Sequence, residues 1–132
     1  MTARILIVED EMLVALEMEA ILEDSGHCPV GIAPDLESAQ GFFDDQLDLA
    51  LVDLNLRDGL TGPEIGRLLG ERGVPVVFVT ANPRQLGDKV VGAIGVITKP
   101  TDHATLLAAV EYALGRLEGR EVEAPPALQL FA

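Results

Sequence analysis

The chain has 132 residues, of which 48% are hydrophobic and 23% charged; this gives one packed core, excludes a chain disordered throughout, and leaves no room for a second domain with its own core. Its formal net charge of −13, from 22 acidic and 9 basic side chains, repels phosphate backbones and anionic membranes, so neither direct DNA binding nor a membrane partner is expected. No apolar run approaches the roughly 20 residues of a bilayer span, and the start of the sequence does not read as a signal peptide, so the expected location is cytoplasmic. The single Cys28 has no partner for a disulfide or a zinc site and reads as a small packed residue.

Residues 5–8 (ILIV) form a continuous apolar run, the mark of a strand covered on both faces, and the run ends on Glu9, Asp10 and Glu11. Apolar residues then recur three and four apart from Met12 to about Ser25, predicting an amphipathic helix that stops at Gly26. Residues 30–33 read as a second strand, and Asp35 as the N-cap of a helix through Phe42 and Phe43. A third strand over residues 49–52 ends on Asp53. After a loop around Asp58 and Gly59, a helix is predicted from Pro63 to Glu71, proline suiting its first turn. A fourth strand, 76–79, ends on Thr80; a fifth, 96–98, ends on Lys99 and Pro100; the last helix spans about 102–117.

Strands alternating with helices predict an α/β fold, with a parallel sheet covered by helices on both faces. Such sheets carry function at the carboxyl ends of their strands. Glu9, Asp10, Asp53, Thr80 and Lys99 all follow strands directly, so one edge would gather three carboxylates, a hydroxyl and an amine. Singly, each has an ordinary reading: a helix-capping acid pair, a loop acid, a turn hydroxyl, a surface ammonium. Together they do not, because carboxylates about 5 Å apart repel by roughly 3 kcal/mol per pair at an effective dielectric near 20. Lys99 alone cannot neutralise them, which leaves a divalent cation. Oxygen donors without His or Cys select Mg2+ or Mn2+, whose open positions suit a phosphoryl group. Two acids can then hold the metal while the third acts as nucleophile.

The motifs ILIVEDE (5–11), LVDLNL (51–56) followed by Asp58, Gly59 and Gly62, VVFVT (76–80) and ITKP (97–100) resemble the receiver domains of bacterial two-component response regulators over about residues 3–118. The resemblance implies a doubly wound, flavodoxin-like five-stranded parallel sheet in the order 2-1-3-4-5. It implies Asp53 as the phosphorylation site, Glu9 and Asp10 as the acidic pair holding Mg2+ with Asp10 the more direct ligand, and the backbone carbonyl of Asn55 as a further ligand. Thr80 becomes the switch hydroxyl, Lys99 the ion-pair partner, and the Lys99–Pro100 bond is expected to be cis. The phosphoryl donor would be a phosphohistidine on a sensor histidine kinase or phosphotransfer protein. Asn55 and Asn82 resemble positions flanking the path of attacking water; neither is a base, so self-hydrolysis is expected to be water-limited.

Two departures bear on signalling. Where receivers usually carry a switch Tyr or Phe, this chain has Val96, and the segment between Thr80 and Lys99, with Pro83, Gly87, Gly92 and Gly95, predicts a short or irregular fourth helix. Phe78, two before Thr80, is shared with receivers linked to general stress signalling; an ordinary core aromatic is the alternative. No output domain follows residue 118 in this sequence, so output is expected through a downstream protein partner, with a homodimer as an alternative. Residues 119–132 are expected as a flexible tail, and His27 and His103 as surface residues. Two other readings stay open: a receiver-like binding module that does not cycle phosphate, and a magnesium-dependent phosphatase, against which Asn55 stands because it cannot donate and regain a proton.

Overall fold

Apolar runs without polar alternation pair where helices cover both faces, and five of them do so here. The computed structural model describes residues 2–86 and 92–131. Strands β1 (Arg4–Val8), β2 (Cys28–Ala33), β3 (Leu49–Val52), β4 (Val76–Thr80) and β5 (Ala93–Thr98) are parallel in the expected order β2-β1-β3-β4-β5. Helices α1 (Met12–Asp24) and α4 (His103–Leu117) pack on one face, and α2 (Leu36–Gln40) and α3 (Gly62–Glu71) on the other. Alternate strand residues feed the two cores: Ile5, Ile7, Leu49, Leu51, Val77 and Val79 meet α1 and α4, whereas Leu6, Val8, Ala50, Val52, Val76 and Phe78 meet α2 and α3.

Local signals set most helix ends. Gly26 adopts φ 86°, a left-handed conformation that lets the His27 N–H reach Leu22 O and closes α1. Asp35 caps α2 by accepting from the Ser38 N–H at 2.8 Å, but α2 ends at Gln40, short of Phe42 and Phe43. Between β4 and β5 the described residues hold a 3-10 turn, Pro83–Leu86; Gly87, where the expected short or irregular helix would continue, lies outside them.

Two expectations need correcting. Residues 119–132 were expected as a flexible tail, yet they contain β6 (Leu128–Leu130), which pairs antiparallel with β5 as a sixth strand. Burial of Leu128 and backbone pairing offset the cost of ordering it. His27 is buried and not on the surface: Nδ1 accepts from the Ala3 N–H at 3.2 Å, which leaves Nε2 to donate to Glu111 Oε1 at 3.0 Å and ties the start of the sheet to α4. His103 is exposed, as expected.

Phe78 is fully buried, and α3 reaches it only because residue 66 lacks a side chain: a Cβ on Gly66 would stand 2.5 Å from the Phe78 ring. Gly66→Val is therefore expected to destabilise the chain by about 1–3 kcal/mol in urea unfolding, with Phe78→Leu in the same chain recovering part of the loss. An unchanged midpoint in the single variant would contradict the contact.

Candidate functional site

Backbone pairing aligns the strand ends before any side chain is considered. The Asp53 N–H donates to Val8 O at 2.9 Å, the Glu9 N–H to Ala33 O at 3.0 Å, and the Lys99 N–H to Thr80 O at 2.8 Å. The ends of β1, β3, β4 and β5 thus form one edge of the sheet. Gly62 lets α3 start close behind it, since a Cβ there would fall 2.0 Å from the Asp53 carbonyl oxygen, and the Gly62 N–H instead donates to Leu54 O.

Glu9, Asp10 and Asp53 offer carboxylate oxygens that all lie within 4.8 Å of one another. Glu9 and Asp53 are buried, while Asp10 is exposed. The Lys99 ammonium donates to Asp53 Oδ2 at 2.9 Å and to Glu9 Oε1, and the second Asp53 oxygen accepts from the Leu54 N–H at 2.7 Å. Glu9 Oε2 accepts from the Glu11 N–H at 3.2 Å.

The charge balance of this cluster is unfavourable by itself. At such separations each carboxylate pair repels by roughly 3 kcal/mol at an effective dielectric near 20, and one lysine faces three acids. Burial pushes the Glu9 carboxyl up to about 7; the Lys99 hydrogen bond and charge pull it down, and the charge of Asp53 adds to the rise. Burial would lower Lys99, but its bonds to Glu9 and Asp53 outweigh this and hold it above its ordinary value. With no other cation the cluster relieves itself by keeping a proton. The donor set, all hard oxygen with one exposed member, fits Mg2+ or Mn2+.

The other expected residues are placed as follows. Thr80 is fully buried at the end of β4, and its Oγ1 accepts from the Asn82 N–H at 3.1 Å; no hydrogen bond joins it to Asp53 among the described residues. Asn55 is exposed just beyond Asp53, and its side chain donates to Gln85 Oε1 at 2.6 Å. That tie across 30 positions, which fastens the 3-10 turn to the loop after β3, has no signal in the sequence. The Lys99–Pro100 bond is cis. Val96 does not join the cluster: it is buried beside Phe78 in the α2/α3 core.

Because Glu9 holds its proton to about pH 7 in the folded chain against an ordinary 4.5, the folded state binds more protons across that window. The Glu9 contribution to stability is thus present below pH 4.5 and lost as pH rises through about 7. A carboxyl 13C NMR titration of metal-free protein should give a Glu9 midpoint near 7. In Lys99→Met the midpoint should move higher, since the lysine pulls it down; a fall on removing the lysine would contradict this arrangement.

Comparison with known proteins agrees with the geometry. Residues 5–111 match the response regulator receiver domain. The phyllosphere-induced regulator PhyR of Methylorubrum extorquens is 35% identical over 119 residues, 86% of this chain and 44% of PhyR. The anti-anti-sigma factor PhyR of Bartonella quintana superposes with TM-score 0.77 at 27% identity, covering 90% of this chain and 50% of its own. A CheY-like receiver domain protein of Methanospirillum hungatei gives TM-score 0.80 at 26% identity, covering 90% of this chain and 98% of its own. This chain therefore spans about half the length of both PhyR proteins. No helix among the described residues is long and apolar enough to cross a membrane. With the strand-end acids, the lysine and the sheet order in agreement, the chain belongs to the response regulator receiver domains.

Proposed function

We propose that Asp53 accepts a phosphoryl group from a phosphohistidine on a sensor histidine kinase or phosphotransfer protein, and that the phosphorylated chain signals by binding a downstream protein in the cytoplasm. The observation that carries this reading is the acid cluster itself: three carboxylates within 4.8 Å around a lysine 2.9 Å from Asp53. In the transfer, a carboxylate oxygen of Asp53 bonds to phosphorus as the phosphorus–nitrogen bond to the donor imidazole breaks, and the imidazole keeps the electron pair. Glu9, Asp10, Asp53 and the Asn55 carbonyl would hold Mg2+, which when bound offsets the negative charge of the phosphoryl oxygens. Lys99 is already aimed at Asp53, and its ammonium can turn to a phosphoryl oxygen. Thr80 would supply a hydroxyl to another oxygen on leaving its Asn82 contact.

The donor and the output are both read as proteins. A cleft of about 410 Å3 beside Lys99 is lined by Val14, Met18, Ile21 and Leu106, and Met12, Leu13 and Leu16 stand exposed nearby on α1. These apolar surfaces suit a docking protein better than a small phosphate donor. The description of the Bartonella relative as an anti-anti-sigma factor supports output by protein binding, and anti-sigma factors are the first partners to try. Val96, buried where a switch ring is usual, favours the second reading of a binding module that does not cycle phosphate.

Incubation with Mg2+ and a small acyl phosphate is expected to add one phosphoryl mass by intact-mass spectrometry. Asp53→Asn or excess chelator should abolish the gain. Absence of any gain in the unaltered chain overturns the proposal and leaves the second reading.

A further inference from the structure

β5 is the last parallel strand, so its outer edge would present unpaired N–H and C=O groups to any extended peptide. Residues 128–131 cover that edge: Gly95, Val96 and Ile97 oppose Leu130, Gln129 and Leu128, and the Phe131 N–H donates to Ile94 O at 3.0 Å. Two side chains anchor the segment from opposite faces. Leu128, 5% exposed, enters the core beneath α1 and α4, and Phe131 packs against the core beneath α2 and α3.

The edge is shaped for this approach. A Cβ on Gly95 would stand 2.5 Å from the Gln129 carbonyl oxygen, a backbone atom that cannot turn aside, so glycine here admits a close neighbouring strand. The segment itself is short and partly exposed. β6 is three residues long, Gln129 and Leu130 are exposed, and residues 118–127, with Pro125 and Pro126, separate it from α4.

We propose that the outer edge of β5 is a strand-acceptor site for an extended segment of a partner protein, one carrying an aliphatic residue and, three positions later, an aromatic. Residues 128–131 fill it in cis as a displaceable strap. Main-chain pairing supplies the affinity in such strand addition, and the sockets of Leu128 and Phe131 supply selectivity. The strap shows which pattern fits: Leu-Gln-Leu-Phe. As a tethered segment it acts at an effective concentration on the order of millimolar, so a free segment competes poorly until the strap is released. The site is independent of phosphoryl chemistry and can be tested on unphosphorylated, metal-free protein.

The probe is a labelled synthetic peptide with the sequence of residues 125–131, titrated by fluorescence anisotropy against the full 132-residue chain. The full chain carrying Leu128→Asp and Phe131→Asp, with its far-UV spectrum retained, is expected to bind the peptide at least about tenfold more tightly than the unaltered chain. Adding Gly95→Val is expected to weaken that binding by at least about tenfold, again with the spectrum retained, because the new Cβ meets the backbone of a strand seated in the register of residues 128–130. Equal affinity of strapped and unstrapped chains, or binding indifferent to Gly95→Val, overturns the proposal. If the unstrapped chain unfolds, hydrogen exchange on the unaltered chain decides: the Phe131 amide should exchange at least about tenfold faster than that of Leu51. Equal rates would mean that residues 128–131 open only with the whole domain, and would overturn the strap.

Discussion

The rest of the structure is arranged around one electrostatic constraint, the crowding of Glu9, Asp10 and Asp53 at a sheet edge that holds a single lysine. A parallel sheet makes the crowding unavoidable, because β1 and β3 are neighbours and β5 lies one strand beyond, across β4, so the residues that follow them emerge at the same edge. Burial then raises the cost of charge on Glu9, and the lysine lowers it only in part. Two outlets remain, a proton on Glu9 or a divalent cation. The site is thus under electrostatic tension, which a divalent cation would relieve on binding.

Holding the acids in place falls to small residues as much as to charged ones. Gly62 lets the first turn of α3 sit against the backbone of Asp53, and Gly66 lets the next turn sit on Phe78. Phe78 lies in β4, two residues before Thr80, so the same helix supports both the acid-bearing and the hydroxyl-bearing strand ends. The ridge of α3 that faces the sheet, Gly62, Ile65, Gly66 and Leu69, alternates absent and bulky side chains to follow this surface. A side chain at either glycine would push the helix away from the strands whose ends carry the chemistry.

The strands and the meeting of Glu9, Asp10, Asp53 and Lys99 at one edge were legible in the sequence because they depend on short-range signals, continuous apolar runs and polar residues placed directly after them, whereas the sheet order followed from the resemblance of the motifs to receiver domains. What escaped depends on contacts between distant residues. β6 is an alternating segment of three residues whose strand state exists only against the β5 edge and Gly95. His27 looked like a surface residue because its partners, Ala3 and Glu111, are 24 and 84 positions away. The Asn55–Gln85 bond likewise joins two exposed amides across 30 positions. The premature end of α2 has a local cause that the apolar spacing concealed: Phe43 reaches the core from a turn and needs no helix to get there.

Val96 shows how the core and the site limit one another. Its side chain fills the space beside Phe78, with β6 pairing on its other edge, so no ring stands at this position to swing between exposed and buried states. On the proposed reading, a change at Asp53 that draws Lys99 would therefore find no ring at this position to move. A backbone route is short, because the Lys99 N–H is bonded to Thr80 O and both residues continue strands that pair along their length. On the proposed reading, displacing the ammonium and the hydroxyl together would load the β4–β5 ladder at its end. Among the described residues, the far edge of β5 pairs with β6, a three-residue antiparallel strand, whereas β4 is held on both sides by parallel neighbours. On that reading, load applied to β5 would meet its shortest pairing on the β6 side, away from the acid cluster.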